Sequence, residues 1–182
     1  MSLALLRATA ALRDGEVIAY PTEGVWGLGC DPLNADAAAQ LLWMKRRSPA
    51  KGLILIAADF SQLAPYLAAV PEDQLELAQS TWPGPVTWLF PVSADCPRWV
   101  SGEHATVAVR VSAHPGVAAL CRHFGGALIS TSANRSGHPT LRSALQIRRH
   151  WGAELGYIYP GALGGRDRPS QIRNLADGRV LR

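Results

Sequence analysis

Apolar residues recur at helical spacing over residues 4–13, which predicts a first helix. The short apolar run 17–20 then predicts a strand that ends at Pro21. The segment 21–29 is rich in glycine, and we predict a loop at the end of that strand. A strand that leads into a glycine-rich loop is a common position for ligand contacts in α/β proteins.

Two strong patterns follow in the next thirty residues. Asn34 can cap a helix over residues 35–47, and the continuous aliphatic run 53–57 indicates a strand covered on both faces. Helical stretches are then predicted to begin at Ser61 and Pro71. Alternation of strand and helix patterns predicts an α/β fold.

Residues 106–111 alternate strictly, so the three valines face one side of a strand while Thr106, Ala108 and Arg110 face the other. A guanidinium group in a sheet needs a carboxylate or phosphate partner. No acidic residue lies near Arg110 in the sequence. Arg110 therefore either contacts a ligand or pairs with a distant Asp or Glu, and the pattern leaves both open.

Ser130, Ser132 and Asn134 would share one side of the chain if the strand predicted over residues 127–129 stays extended beyond its end. Their hydroxyl and amide groups suit a phosphate or an amino acid. The other predicted elements are a strand over residues 86–90, a helix from Pro115 to Gly125-Gly126, a helix over 141–151 capped by Thr140, a strand over 157–159 and a hairpin turn at Asp177-Gly178.

The composition narrows the class of protein. A length of 182 residues suits one domain, which we expect to span residues 1–182, and a net charge of +4 favours an anionic partner. No apolar stretch reaches the roughly 20 residues of a membrane span, and the N-terminus reads as a helix rather than a signal peptide. Cys30, Cys96 and Cys121 are too widely spaced for a metal site and should be buried thiols. We expect a cytoplasmic protein and no membrane partner.

Taken one at a time, the candidate motifs each allow more than one interpretation. The glycines of segment 21–29 match neither a dinucleotide fingerprint nor a Walker loop, so they either form a tight turn or contact substrate. Lys45 lies on the apolar stripe of its helix and Lys51 precedes a buried strand, where each cation would be costly without an anion. Residues 45–51 could instead form the solvated end of a helix. Two isolated acids, Glu23 and Asp31, are weak evidence for a metal, and we predict no metal site.

The motifs become specific as an ordered set over nearly the whole chain. They are Pro21-Thr22-Glu23 with Gly27-Leu28-Gly29, Lys45-x-Arg47 with Lys51-Gly52-Leu53, Trp82-Pro83-Gly84-Pro85-Val86-Thr87, Val109-Arg110-Val111, Ser130-Thr131-Ser132-Ala133-Asn134 and Pro169-Ser170-x-Ile172. In this set the chain resembles the short form of the YrdC-like threonylcarbamoyl-AMP synthases.

The resemblance implies a single-domain YrdC-type fold, with a twisted mixed sheet flanked by helices and a basic concave surface. It implies that L-threonine, bicarbonate and ATP are condensed to L-threonylcarbamoyladenylate and pyrophosphate. The product would serve the threonylcarbamoyladenosine (t6A) modification of tRNAs that read codons beginning with adenine, through a separate tRNA threonylcarbamoyl transferase complex. Mg²⁺ is expected with ATP, held mainly by the nucleotide and water.

The resemblance also assigns residues. The implied threonine contacts are Thr22, Arg110, Ser130, Asn134 and Ser170. The implied ATP contacts are Arg47, Lys51, Thr106, Ser132, Thr140 and Arg182, and the implied catalytic residues are Lys45, Arg47 and Lys51. Some relatives carry a histidine where Ile56 stands here.

The alternative function is a binding module for double-stranded RNA or tRNA, which the basic charge balance would also suit. The sequence carries no aromatic signature of RNA-binding domains, so the synthase is the favoured hypothesis.

Overall fold

The computed structural model describes residues 2–166 and 170–181, and one mixed sheet forms the centre of this part of the chain. Its strands are β1 (Ile18–Pro21), β2 (Trp26–Cys30), β3 (Ile54–Ala57), β4 (Val86–Pro91), β5 (Thr106–Val111), β6 (Leu128–Ser132), β7 (Tyr157–Ile158) and β8 (Gln171–Asn174). They lie in the order β7-β1-β2-β6-β3-β5-β4-β8. The pairs β1–β7, β3–β5 and β4–β8 are parallel and the other pairs are antiparallel, which confirms the predicted α/β class and mixed sheet.

The helices are α1 (Leu3–Arg13), α2 (Ala35–Lys45), α3 (Glu72–Ser80), α4 (Arg98–Ser101), α5 (Pro115–Phe124) and α6 (Ala144–Trp151). Asn34 caps α2 as predicted, and its Oδ1 accepts a hydrogen bond of 2.9 Å from the backbone N–H of Ala37. The cap of α6 is Ser143 rather than Thr140. Within the described ranges, no helix is both long and apolar enough to cross a bilayer.

The prediction of a loop over residues 21–29 was wrong for its second half, which forms β2. The glycines of this strand serve close packing instead. A Cβ at Gly29 would lie 2.4 Å from the carbonyl oxygen of Ile129 on β6 and 2.7 Å from the hydroxyl of Tyr20 on β1. Glycine inside a strand can mark such a close approach as readily as it marks a break.

Three other boundaries differ from expectation. Helix α2 ends two residues early because Arg46 takes a left-handed conformation, with φ of 50°. The helix predicted from Ser61 is only a pair of short 3₁₀ turns, over 60–62 and 64–66. Strand β8 was not predicted, although the turn at Asp177-Gly178 that follows it was predicted. This turn brings the chain back along β8, where the N–H of Leu181 donates to the carbonyl oxygen of Ile172 at 2.8 Å. The three cysteines are free and buried, as predicted.

The two faces of the sheet bury different clusters. The larger cluster lies on the face that receives Val107, Val109 and Val111 of β5. The smaller cluster lies on the opposite face, where α1 and α5 cover Ile18 and Ile56 among others. Successive residues of a strand point to opposite faces, so Leu55 belongs to the first cluster and Ile56 to the second.

Part of the second face is not covered by α1 and α5. Ser130, Ile54, Ala108 and Leu89 are cross-strand neighbours in register on β6, β3, β5 and β4, and all of them line an open cavity. The incomplete helical layer therefore decides where on the sheet a ligand can reach the strands.

We predict that Gly29→Ala lowers the free energy of unfolding by about 1–3 kcal/mol, because the added methyl group would collide with the β6 backbone. Gly126→Ala is the matched control, since a Cβ there meets nothing closer than 3.9 Å. It should change stability by no more than about 0.5 kcal/mol. Urea unfolding measures both, and equal stability of the two variants would contradict the prediction.

Candidate active site

A cavity of about 680 Å³ opens on the uncovered part of the sheet. Its walls come from the loop after β1, the end of α2, the 3₁₀ turn Pro49–Lys51 and the segment around Ser170. Ile54 and Ala108 give the floor an apolar patch, and hydroxyl groups and cations surround it. Such a lining suits a ligand that is partly apolar and partly anionic.

Every predicted site residue that the structure describes lines this cavity: Thr22, Lys45, Arg47, Lys51, Thr106, Arg110, Ser130, Ser132, Asn134, Thr140 and Ser170. Arg182 lies outside the described residues. Residues that are far apart in the sequence therefore meet in one place. The roles assigned to each of them stay predictions.

Arg110 and Glu23 form a buried ion pair in the cavity wall, with 3.2 Å between the guanidinium Nη1 and the carboxylate Oε2. Glu23 is held from its other oxygen, Oε1, which accepts hydrogen bonds from the Ser112 hydroxyl at 2.8 Å and the Ala113 N–H at 3.0 Å. The distant acid that the sequence left open for Arg110 is thus Glu23. The Nε of Arg110 is buried without a hydrogen-bond partner in the described part of the chain.

The ion pair changes how both side chains titrate. Burial alone would raise the pKa of Glu23, but Arg110 and the donors from Ser112 and Ala113 outweigh burial and hold that pKa below its ordinary value. Burial lowers the pKa of Arg110, and the Glu23 carboxylate opposes this shift. At neutral pH the carboxylate is therefore ionised.

Lys45 is only 3% exposed and is anchored by backbone oxygens. Its ammonium group donates to the carbonyl oxygens of Ser132 and Asn134, the latter at 2.7 Å. Burial, and then the charge of Arg47, lower the pKa of Lys45 to about 8. Lys45 therefore holds the segment after β6 in place, and protein carbonyls, not an anion, provide the compensation expected from its burial.

Arg47 and Lys51 both precede a sharp bend at Gly52, and Arg47 is anchored to it. Arg47 donates to the carbonyl oxygens of Gly52 at 2.9 Å and Lys51 at 3.3 Å. Gly52 has φ of 59°, and a Cβ there would lie 2.7 Å from the carbonyl oxygen of Ser101. The Lys51 side chain is exposed, so the expectation that burial makes this cation costly was wrong. An exposed ammonium group at the cavity edge can still meet a phosphate.

The hydroxyl and amide groups after β6 form a short chain of hydrogen bonds. The Ser132 hydroxyl donates to Asn134 Oδ1 at 2.6 Å, and Asn134 Nδ2 donates to the carbonyl oxygen of His138 at 2.6 Å. Elsewhere in the lining, the Ser170 hydroxyl oxygen accepts a hydrogen bond of 3.0 Å from the buried Thr87 hydroxyl. These contacts orient the lining groups before a ligand arrives.

Sequence reasoning missed Arg166 in the lining. The backbone N–H of Arg166 donates to the carbonyl oxygen of Glu23 at 2.9 Å, and the backbone N–H of Gly164 donates to the carbonyl oxygen of Thr22 at 3.0 Å. A Cβ at Gly164 would lie 2.8 Å from the Cα of Glu23, so the segment lies directly against the loop after β1. The pair Gly164-Gly165 was the only sequence signal of this close approach. Ile56, by contrast, is fully buried under α5 and does not line the cavity.

The described lining contains five lysine or arginine side chains and one carboxylate, Glu23. The fold and the lining together define an α/β protein with a cavity whose described lining carries more cations than carboxylates. The family model Sua5_yciO_yrdC, described as "Telomere recombination", matches residues 10–182. The chain belongs to this Sua5/YciO/YrdC family.

Comparison with individual known proteins supports the same family assignment. A threonylcarbamoyl-AMP synthase of Halorhodospira halophila is 56% identical over 175 residues, which cover 96% of this chain and 92% of that protein. The structure of P. abyssi Sua5 complexed with L-threonine superposes with a TM-score of 0.90 at 31% identity, covering 98% of this chain. The chain spans 53% of that longer Sua5 chain. E. coli YciO has a TM-score of 0.86 at 24% identity over 98% of this chain and 87% of its own, and shows the shared fold.

We predict that Glu23→Gln lowers the free energy of unfolding at pH 7 by about 3–5 kcal/mol, because Arg110 would keep a buried charge without its partner. The folded-state pKa of Glu23 is depressed, so the stability it contributes is present above the ordinary glutamate pKa of about 4.3. That contribution is lost as the pH falls through the lower folded-state pKa. The wild type should therefore lose more stability than the variant on acidification.

Urea unfolding at intervals from about pH 7 to pH 3 measures this difference. Glu103→Gln, at an exposed position, is the control and should follow the wild type. Parallel pH profiles of the wild type and Glu23→Gln would contradict the prediction.

Proposed function

We propose that this chain is a threonylcarbamoyl-AMP synthase, which condenses L-threonine, bicarbonate and ATP to L-threonylcarbamoyladenylate and pyrophosphate. The observation that carries the proposal is the convergence of the cationic and hydroxyl side chains of the family motifs on one cavity. The names of the relatives and the L-threonine complex of P. abyssi Sua5 support the same activity.

In this proposal, threonine lies against Thr22, Arg110, Ser130, Asn134 and Ser170. The Arg110 guanidinium binds the threonine carboxylate, and Glu23 holds that guanidinium in position from behind. The apolar floor beside Ser130 can accept the threonine methyl group. A buried, already oriented arginine loses little freedom when the amino acid binds.

ATP lies against Arg47, Lys51, Thr106, Ser132 and Thr140, with Arg182 assigned by motif alone. Lys51 is exposed at the cavity edge and can follow the phosphates, whereas Arg47 is anchored to Gly52. Lys45 keeps Ser132 and Asn134 in place between the two substrates. Catalysis then depends on positioning and on charge stabilisation by groups that are already oriented.

The reaction balances as two displacements. The threonine amine attacks the carbon of bicarbonate, water leaves, and a carbamate forms. A carbamate oxygen then attacks the α-phosphorus of ATP, the bond to the β-phosphate oxygen breaks, and pyrophosphate leaves. Cations beside the α- and β-phosphates stabilise the charge that develops there.

Mg²⁺ accompanies ATP in this proposal, but the side chains do not form a cage for it. Glu23 is the carboxylate of the described lining, and it is engaged by Arg110. Within residues 2–166 and 170–181, no cluster of His, Cys, Asp or Glu is suited to hold a metal ion. We assign the ion to the triphosphate and water, and no step depends on it.

We further propose a cytoplasmic setting in which residues 1–182 act as one YrdC-like domain. The product is an unstable mixed anhydride, so it needs an acceptor close at hand. The acceptor is a tRNA adenosine, reached through a separate threonylcarbamoyl transferase complex.

We expect purified protein to release pyrophosphate only when L-threonine, bicarbonate and ATP are all present. Omission of any one of the three should reduce release to background, because the carbamate is the attacking group. A coupled pyrophosphate assay, with the adenylate detected by mass spectrometry, measures this dependence. The proposal would be contradicted by pyrophosphate release in the absence of threonine or bicarbonate, or by no release when all three substrates are present.

We expect Lys51→Ala to reduce kcat/KM for ATP by about 100-fold or more, the cost of losing one charge-stabilising donor. The fold should be unaffected because Lys51 is exposed. Arg122→Ala, which removes an exposed cation on α5 away from the cavity, is the matched control. Steady-state kinetics with circular dichroism compares them, and wild-type kinetics in Lys51→Ala would take this residue out of the site.

A further inference from the structure

A second cavity of about 680 Å³ lies beside α2 and α4, and three tryptophans line it. Trp43 on α2 is 71% exposed, Trp99 belongs to α4, and Trp151 ends α6 and is almost fully buried. The wall between them is mostly aliphatic. Flat, polarisable indole surfaces at an open cavity suit a planar aromatic ligand.

The same cavity is lined by three arginines, Arg46, Arg47 and Arg135, and by one carboxylate, Glu154. Among the described residues, no ion pair neutralises Arg46 or Arg135. Arg46 also takes the left-handed conformation that arginine rarely adopts. A cavity with this charge balance attracts an anion.

Two buried N–H donors at the cavity have no hydrogen-bond partner in the described part of the chain: Nε of Arg135 and Nε1 of Trp151. Trp99 differs, because its Nε1 donates to the carbonyl oxygen of Pro32 at 3.0 Å. Buried donors are almost always paired in folded proteins, since an unpaired donor loses its bond to water. These two donors lie unpaired in residues that line the cavity.

We propose that this second cavity binds a free nucleoside monophosphate. The base would stack on Trp43, the most exposed indole of the cavity, while the phosphate would meet the guanidinium groups of Arg46 and Arg135. Inorganic phosphate would leave the exposed Trp43 indole without a contact, and an apolar molecule would leave the charges of Arg46 and Arg135 without a partner anion. The volume lies within the range of sites for small molecules of this size.

The second cavity adjoins the first, because Arg47 lines both. A nucleotide bound there would therefore lie next to the proposed ATP site without occupying it. The inference rests on the second cavity's own residues and does not depend on the proposed synthase activity.

The test is equilibrium dialysis of the purified protein and its variants with radiolabelled AMP. Trp43→Ala should weaken AMP binding at this site about fivefold or more, the usual loss when a stacked aromatic is removed. Arg135→Gln should weaken it to a similar degree. Leu3→Ala, which truncates another exposed apolar side chain, is the matched control and should bind as the wild type does.

The two cavities are separated by Lys51→Ala, which alters only the first. Trp43-dependent AMP binding should persist in this variant, and pyrophosphate release should persist in Trp43→Ala. If the protein makes no adenylate but keeps Trp43-dependent AMP binding, only the synthase proposal fails.

Four results would overturn the inference. They are no saturable AMP binding in Lys51→Ala, wild-type affinity in both Trp43→Ala and Arg135→Gln, equal affinity for adenosine and AMP, and a pentanucleotide of adenylate that binds while AMP does not. The third result would show that the arginines take no part. The fourth would assign the cavity to a nucleic acid chain rather than to a free nucleotide.

Discussion

The buried charge of Arg110 is the constraint on which the cavity depends. A guanidinium group in the middle of a valine-rich strand is tolerated because Glu23 meets it at 3.2 Å, and Glu23 is in turn held by Ser112 and Ala113. The pair ties β5 to the loop after β1. The backbone carbonyl oxygens of Thr22 and Glu23 also accept hydrogen bonds from Gly164 and Arg166, so the same loop joins a third segment of the wall.

The two faces of the sheet are covered to different extents. One face is packed against the larger core cluster, and the other is covered by α1 and α5 only in part. Strand alternation then sends Val109 into the core and Ala108 and Arg110 towards the cavity from the same strand. Alternate residues of one strand thus serve the core and the cavity lining.

The cations around the cavity are not equivalent. Lys45 is buried and fixed by carbonyl oxygens, Arg47 is anchored to Gly52, and Lys51 is exposed at the edge. The first two are held by protein carbonyl oxygens, and in the proposed reaction the third would contact the phosphates. This arrangement suits the proposed transfer of a nucleotidyl group, in which positioning supplies most of the rate.

The sequence by itself determined the α/β class, the strand over residues 106–111 with its two faces, and the set of motif residues around the cavity, because periodicity and ordered motifs are local signals. Only the tertiary structure decided that Glu23 pairs with Arg110, that Gly29 lies inside a strand, that Arg166 joins the lining and that tryptophans form a second cavity. Each of these depends on contacts between segments far apart in the chain, and residue spacing carries no information about such contacts.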